Sequence, residues 1–147
     1  SGWWVADDYA FDHPDGDRFG ADGRLDTGDV ASIDDRGRMA IRDRAKDMIK
    51  SGGEWISSLA LERAIGDFPE IEGCAVVGRP DDRWGERPVV FASLHEGRTL
   101  EIETVRNRLE HDFESWQRPD ELLIVESIPS TSTGKIDKKS LRAGLRG

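Results

Sequence analysis

Pro129-Ser130-Thr131-Ser132-Thr133-Gly134-Lys135-Ile136 places a lysine behind a run of hydroxyl side chains and a glycine. An ammonium on a flexible stem, carried by such a flexible loop, can be delivered to a phosphate or carboxylate oxygen as a mobile point charge. A Walker A loop would need glycine five residues before the Gly-Lys pair and Ser or Thr after the lysine. Those places hold Pro129 and Ile136, so that chemistry is excluded. The ordinary alternative is a solvated surface lysine. A second candidate is Leu25-Asp26-Thr27-Gly28-Asp29, where a carboxylate beside a tight turn can accept both hydroxyls of a ribose diol. Asp-Gly turns also occur with no such role. The third is the stretch 42–56, which sets Arg42, Arg44, Lys46 and Lys50 ahead of Gly52-Gly53. Paired glycines admit close backbone approach to a ligand, and equally serve a plain turn.

Other chemistries find no support. His13, His95 and His111 are far apart and lack the i, i+4 spacing of a helical zinc pair. Cys74 is the one cysteine, which rules out an internal disulfide and a cysteine-based zinc site and fits a reducing, cytoplasmic setting. An EF-hand starting at Asp15 lacks its closing glutamate, and there is no GxSxG nucleophile elbow. A net charge of −9 argues against nucleic acid or anionic membrane as general partners. No apolar run approaches the roughly 20 residues of a membrane span. Any anion bound here must be met by local cations.

The elements that position these motifs follow from periodicity. Val30-Ala31-Ser32-Ile33 and Arg38-Met39-Ala40-Ile41, joined by Asp34-Asp35-Arg36-Gly37, predict a β-hairpin. Leu61, Ala64, Ile65 and Phe68 fall at i, i+3, i+4 and i+7 and predict a helix capped by Ser57 or Ser58. The apolar runs 74–77, 89–94 and 122–125 predict strands, with a helix carrying Ile102, Val105 and Leu109 between the last two. A short basic helix is expected from about 137 to 142. The sum is an α+β fold, a small mixed sheet with flanking helices plus an N-terminal β-hairpin. Residues 1–29, rich in Asp and Gly, show no sustained period, so Trp3, Trp4, Tyr9 and Phe11 suit the torn edge of a larger domain.

In order and spacing, the three motifs resemble the last motifs of the acyl-CoA synthetases of the acyl-adenylate-forming superfamily, relatives of peptide-synthetase adenylation domains and firefly luciferase. The resemblance covers nearly the whole chain. It implies that residues 1–45 end a large N-terminal domain and approach a hinge, and that 46–147 form a mobile C-terminal domain. It further implies that Asp29 and Arg44 hold the ribose of ATP or AMP, that Lys46 is the hinge residue, and that Lys135 is the adenylation lysine. Gly53 would line the pantetheine tunnel of coenzyme A. Trp84, Trp116 and Arg118 match positions that some relatives use for the CoA nucleotide, where an indole suits adenine and a guanidinium suits phosphate. Their alternative is that of ordinary half-buried side chains. Leu25 departs from the family's Tyr or Phe, and Ala60 stands where many relatives have a carboxylate.

Ser51-Gly52-Gly53-Glu54-Trp55-Ile56-Ser57-Ser58 resembles the medium- and long-chain fatty-acid CoA ligases more than the Gly-x-Arg-Ile-Glu of peptide-synthetase domains. The implied reaction joins a carboxylic acid to CoA with conversion of ATP to AMP and pyrophosphate. No phosphate loop, adenine pocket or acyl tunnel is present, since these belong to the N-terminal domain, which would also hold most of the Mg²⁺. At 147 residues the chain is too short for two full domains with a cleft between them, so it is expected to be inactive alone, with that N-terminal domain as its partner. A non-catalytic module that binds CoA or a protein, and the tail of a peptide-synthetase adenylation domain, are the competing readings.

Overall fold

The computed structural model describes residues 26–145. Leu25, the early aromatics Trp3, Trp4, Tyr9 and Phe11, and most of the 1–45 segment assigned to a preceding domain lie outside the described residues. The expected N-terminal hairpin is present: β1 (Asp29–Ile33) runs antiparallel to β2 (Met39–Arg44). Its turn is tied by Asp34, whose Oδ1 accepts the Arg36 and Arg38 amides at 3.0 and 2.8 Å. β2 runs further than its apolar residues indicate, because Asp43 and Arg44 continue the ladder opposite Val30 and Asp29.

A 3-10 turn (Ala45–Asp47) leads into two strands of three residues, β3 (Ile49–Ser51) and β4 (Glu54–Ile56). Each is too short to show a period in the sequence. Gly52 and Gly53 form the connection, with φ of +61° and +91°. A two-residue hairpin loop whose right-handed twist matches its strands needs positive φ at both places, which is why glycine occupies both. Helix α1 (Ser58–Gly66) follows, with Ser57 as its N-cap accepting the Ala60 amide at 3.1 Å.

The long strands β5 (Ile71–Asp81) and β6 (Gly85–Leu94) pair antiparallel. After α2 (Ile102–Arg108), β7 (Glu121–Ile124) returns parallel to β6. One sheet of order β4-β3-β6-β5 results, with β7 also on β6, and α3 (Lys138–Gly144) closes the described chain. Alternation along the strands feeds two cores. Val76, Val90 and Ala92 pack with Leu61 and Ile65 of α1 and Val105 of α2. Ala75, Val77, Val89 and Phe91 face the other way, onto Leu141 of α3. Each fully buried Ile, Leu or Val contributes about 1.5–3 kcal/mol, so the sheet is a rigid plate carrying helices on both faces.

Candidate functional site

Lys135 is presented by a small loop closed on itself rather than by a flexible one. Thr131 N donates to the Lys135 carbonyl at 2.7 Å and Gly134 N to the Thr131 carbonyl at 2.9 Å. The Thr131 and Thr133 hydroxyls lie 2.9 Å apart, and Ser130 bridges to Ile136. The hydroxyl run thus stiffens the loop while the lysine side chain remains exposed. Lys135 lines a cleft of about 750 Å³ that it shares with Arg44 and Lys46. Six cationic side chains line that cleft against the carboxylates of Asp47 and Asp137. In a chain of net charge −9, this concentrates a local field suited to a phosphorylated ligand.

Asp29 and Arg44 face each other across the β1–β2 ladder, with Arg44 Nε 3.5 Å from Asp29 Oδ1. The structure therefore brings together the residues read as ribose-binding, hinge and adenylation groups. Lys46 lies in the 3-10 turn, exposed, and its carbonyl accepts Arg142 Nη2 at 3.2 Å while the same guanidinium reaches Asp47 at 2.7 Å. Arg142, from α3, binds the turn to the helix that follows Lys135.

A separate cleft of about 530 Å³ is lined by Ser51, Gly52, Glu54, Trp84 and Trp116. Gly53 sits at the tip of the turn between Gly52 and Glu54, exposed, with nothing within 4 Å of the place a Cβ would take. Gly52 differs: its amide donates to the Trp84 carbonyl at 2.8 Å, and a Cβ there would meet the Trp84 ring at 3.2 Å. Trp84 is 44% exposed, and the Arg83 guanidinium lies 4.7 Å from its ring centroid. Arg118 does not line this cleft. Its Nε donates to the Phe113 carbonyl at 3.0 Å, which orients the guanidinium from within its own loop.

The residue that holds this second cleft together, Arg87, was not singled out from sequence. It is only 7% exposed and forks onto Asp120, at 2.6 Å from Nε and 2.8 Å from Nη2. Its Nη1 also donates to Ser51 Oγ and to the Trp116 carbonyl. The guanidinium beside it holds Asp120 below the usual carboxylate range. Arg87→Ala removes the donor shared by the buried Ser51 hydroxyl, the part-buried Trp116 and Arg118 carbonyls and the more exposed Asp120 carboxylate, so a loss of about 3 kcal/mol is expected. By thermal melting this is a fall of about 10 °C, only partly recovered in Arg87→Lys, which cannot form the fork. Because the Asp120 carboxyl is lowered, the pair stabilises above its unfolded value near 3.8 and that contribution fades as the pH falls through the lowered one.

Asp43, Glu62 and Lys138 were also missed. Lys138 Nζ lies 2.8 Å from both Glu62 Oε1 and Ser58 Oγ, largely out of solvent. Burial raises the Glu62 carboxyl, against the pull of Lys138. Cys74, beside it, is pushed up to about 11 by burial and is not a thiolate at neutral pH. Among the described residues, no group of three or more His, Cys, Asp or Glu is placed to hold a metal ion, and no helix is long and apolar enough to cross a membrane.

The family described as AMP-binding enzyme C-terminal domain matches residues 60–135. The chain is 43% identical over 147 residues to the 3-methylmercaptopropionyl-CoA ligase of Ruegeria pomeroyi, covering 99% of this chain and 26% of that protein. It is 43% identical over 141 residues to the medium-chain-fatty-acid–CoA ligase of Ectopseudomonas oleovorans, covering 96% and 26% respectively. The chain thus spans about a quarter of the length of these relatives. Among solved structures, ATP-bound MatB from Rhodopseudomonas palustris superposes with a TM-score of 0.80 at 28% identity, over 88% of this chain and 26% of that one. The resemblance read from three short motifs thereby extends to fold and to sequence alike, and the chain belongs to the AMP-binding enzyme C-terminal domain family.

Proposed function

We propose that this chain is the swinging C-terminal domain of an ATP-dependent, AMP-forming acyl-CoA ligase. The observation that carries the reading is the pair of separate clefts on one rigid plate, one around Lys135 and the other around the Gly52-Gly53 turn. Two half-reactions need two faces. In the first, a carboxylate oxygen attacks the α-phosphate of ATP, forming acyl-AMP and releasing pyrophosphate. Asp29 and Arg44 hold the ribose, and Lys135 meets the charge that develops on the carboxylate and phosphate oxygens. In the second, the domain turns about Lys46, which withdraws Lys135 and brings up the Gly53 turn. The CoA thiol then attacks the acyl carbon and AMP departs. Trp84 and Trp116 offer indole faces to the CoA nucleotide, and Arg118 offers its terminal amino groups to a phosphate.

On this reading residues 1–45 end a large N-terminal domain and 46–147 are the moving part. That large domain is the partner, and it supplies the acyl pocket and the residues that hold Mg²⁺ with the nucleotide. The run 51–58 favours a fatty acid as the carboxylate, and the setting is cytoplasmic. The test is a paired assay of pyrophosphate release and acyl-CoA formation by the complete polypeptide carrying this chain, over a series of carboxylic acids. Both products should appear with a subset of acids, and neither with residues 1–147 alone. Acyl-CoA made by the isolated chain would overturn the division of labour. Absence of pyrophosphate with every acid would favour a non-catalytic CoA-binding module.

A further inference from the structure

Asp43 lies three residues before Lys46, yet most of its bonds go to residues after it. Its Oδ2 accepts Ser58 Oγ at 2.9 Å, the Leu59 amide at 3.0 Å and Ser57 Oγ at 3.1 Å. Only Oδ1, which accepts the Arg44 amide at 2.7 Å, bonds within its own strand. The side chain is shut away from water, with Asp43 4% exposed and Ser58 fully buried. The contact is then handed on. Ser58 Oγ receives Lys138 Nζ at 2.8 Å, Lys138 pairs with Glu62, and Glu62 Oε1 takes the Val76 amide at 2.8 Å. Lys138 is three residues beyond Lys135, so a continuous polar chain joins the strand before the hinge to the segment that carries the lysine.

We propose that Asp43 is a positioning residue, a latch that holds the orientation in which Lys135 and Arg44 share one cleft. The proposal rests on the adenylation role given above to Lys135 and on rotation about Lys46. Any rotation that carries α1 away from β2 separates Asp43 from three donors at once. A carboxylate suits a contact that must open, because water replaces the lost donors, whereas an apolar contact of equal size would leave a dry surface exposed. The Lys138–Glu62 pair and the Val76 amide lie wholly beyond Lys46 and travel together. The latch thus stabilises one arrangement and leaves the moving body intact. It predicts a selective effect: loss of Asp43 depopulates the adenylating arrangement and spares the other.

The experiment uses the complete polypeptide with Asp43→Asn and, as a smaller change that removes one hydroxyl from the same contact, Ser58→Ala. Acid-dependent pyrophosphate release and thioester formation from supplied acyl-AMP are measured separately, with Lys135→Ala alongside. Pyrophosphate release should fall about tenfold or more in Asp43→Asn and by a smaller factor in Ser58→Ala, chiefly in kcat. Thioester formation should stay within about twofold of wild type or rise. Equal losses in both half-reactions, or no loss in either, would overturn the latch, as would a loss confined to thioester formation. Release that survives Lys135→Ala sinks the reaction on which the proposal rests. Release lost in Lys135→Ala but kept in both other variants sinks the latch alone.

Discussion

Replacing Lys135 by alanine should lower acid-dependent pyrophosphate release by about 10²–10³-fold, the usual loss when a preorganised donor to a developing oxyanion is removed. The loss should appear in kcat more than in KM, because the ammonium is worth most where charge has shifted onto the reacting oxygens. Thioester formation from supplied acyl-AMP should persist, since Lys135 lies in one cleft and the Gly52-Gly53 turn borders the other. The loop itself should survive the substitution. It is closed by the Lys135 carbonyl and amide, which contact Thr131 N at 2.7 Å and Thr131 Oγ1 at 3.3 Å, and alanine retains both groups. Lys135→Arg should not restore the rate, because a planar fork presents its charge differently from a compact ammonium. Equal loss of both half-reactions would show instead that Lys135 acts through the fold.

The second large effect is expected at Gly53, with the opposite selectivity. Gly53→Leu should reduce thioester formation from acyl-AMP about 100-fold while leaving pyrophosphate release near wild type. With φ at +91° a leucine costs about 1–3 kcal/mol of backbone strain, yet no described atom lies within 4 Å of its Cβ, so the turn can accept it. The added side chain then projects from the tip of the turn, where the proposed thiol path requires space. Gly53→Ala should show a smaller loss of the same kind. A variant that is merely less stable, with both rates falling together, would reduce the glycine pair to a hairpin connection. Gly52→Ala is a poorer probe, since its Cβ would press on the Trp84 ring at 3.2 Å.

Much of this was legible in the sequence, and what was hidden shares one cause. Leu61 and Ile65 announce α1 because a single helix buries a single stripe, and the runs at 74–77 and 89–94 announce strands because both faces of the sheet are covered. Lys135, Asp29 and Gly53 carry signals in their immediate neighbours. Arg87 and Asp43 do not. Within Gly85-Glu86-Arg87-Pro88, the arginine reads as a surface charge, because Asp120, its partner, lies 33 residues further on. Asp43 sits between two arginines and looks equally solvated, although β2 turns it onto the start of α1. Lys138 looks like one more cation in a basic tail until Glu62, 76 residues earlier, is brought beside it. A buried charge is recognisable only from its partner, and partners distant along the chain leave no local pattern.

Helix α3 lies over the apolar side of the sheet formed by Ala75, Val77, Val89 and Phe91, with Leu141 buried against it. The helix that directly follows the lysine loop is therefore also the cover of that side. Any truncated product lacking residues 138–145 would keep Lys135 yet lose α3, and so would bare a contiguous oily surface of the kind that chaperones and proteases recognise. Shortened polypeptides would accordingly be removed or precipitate instead of persisting in solution.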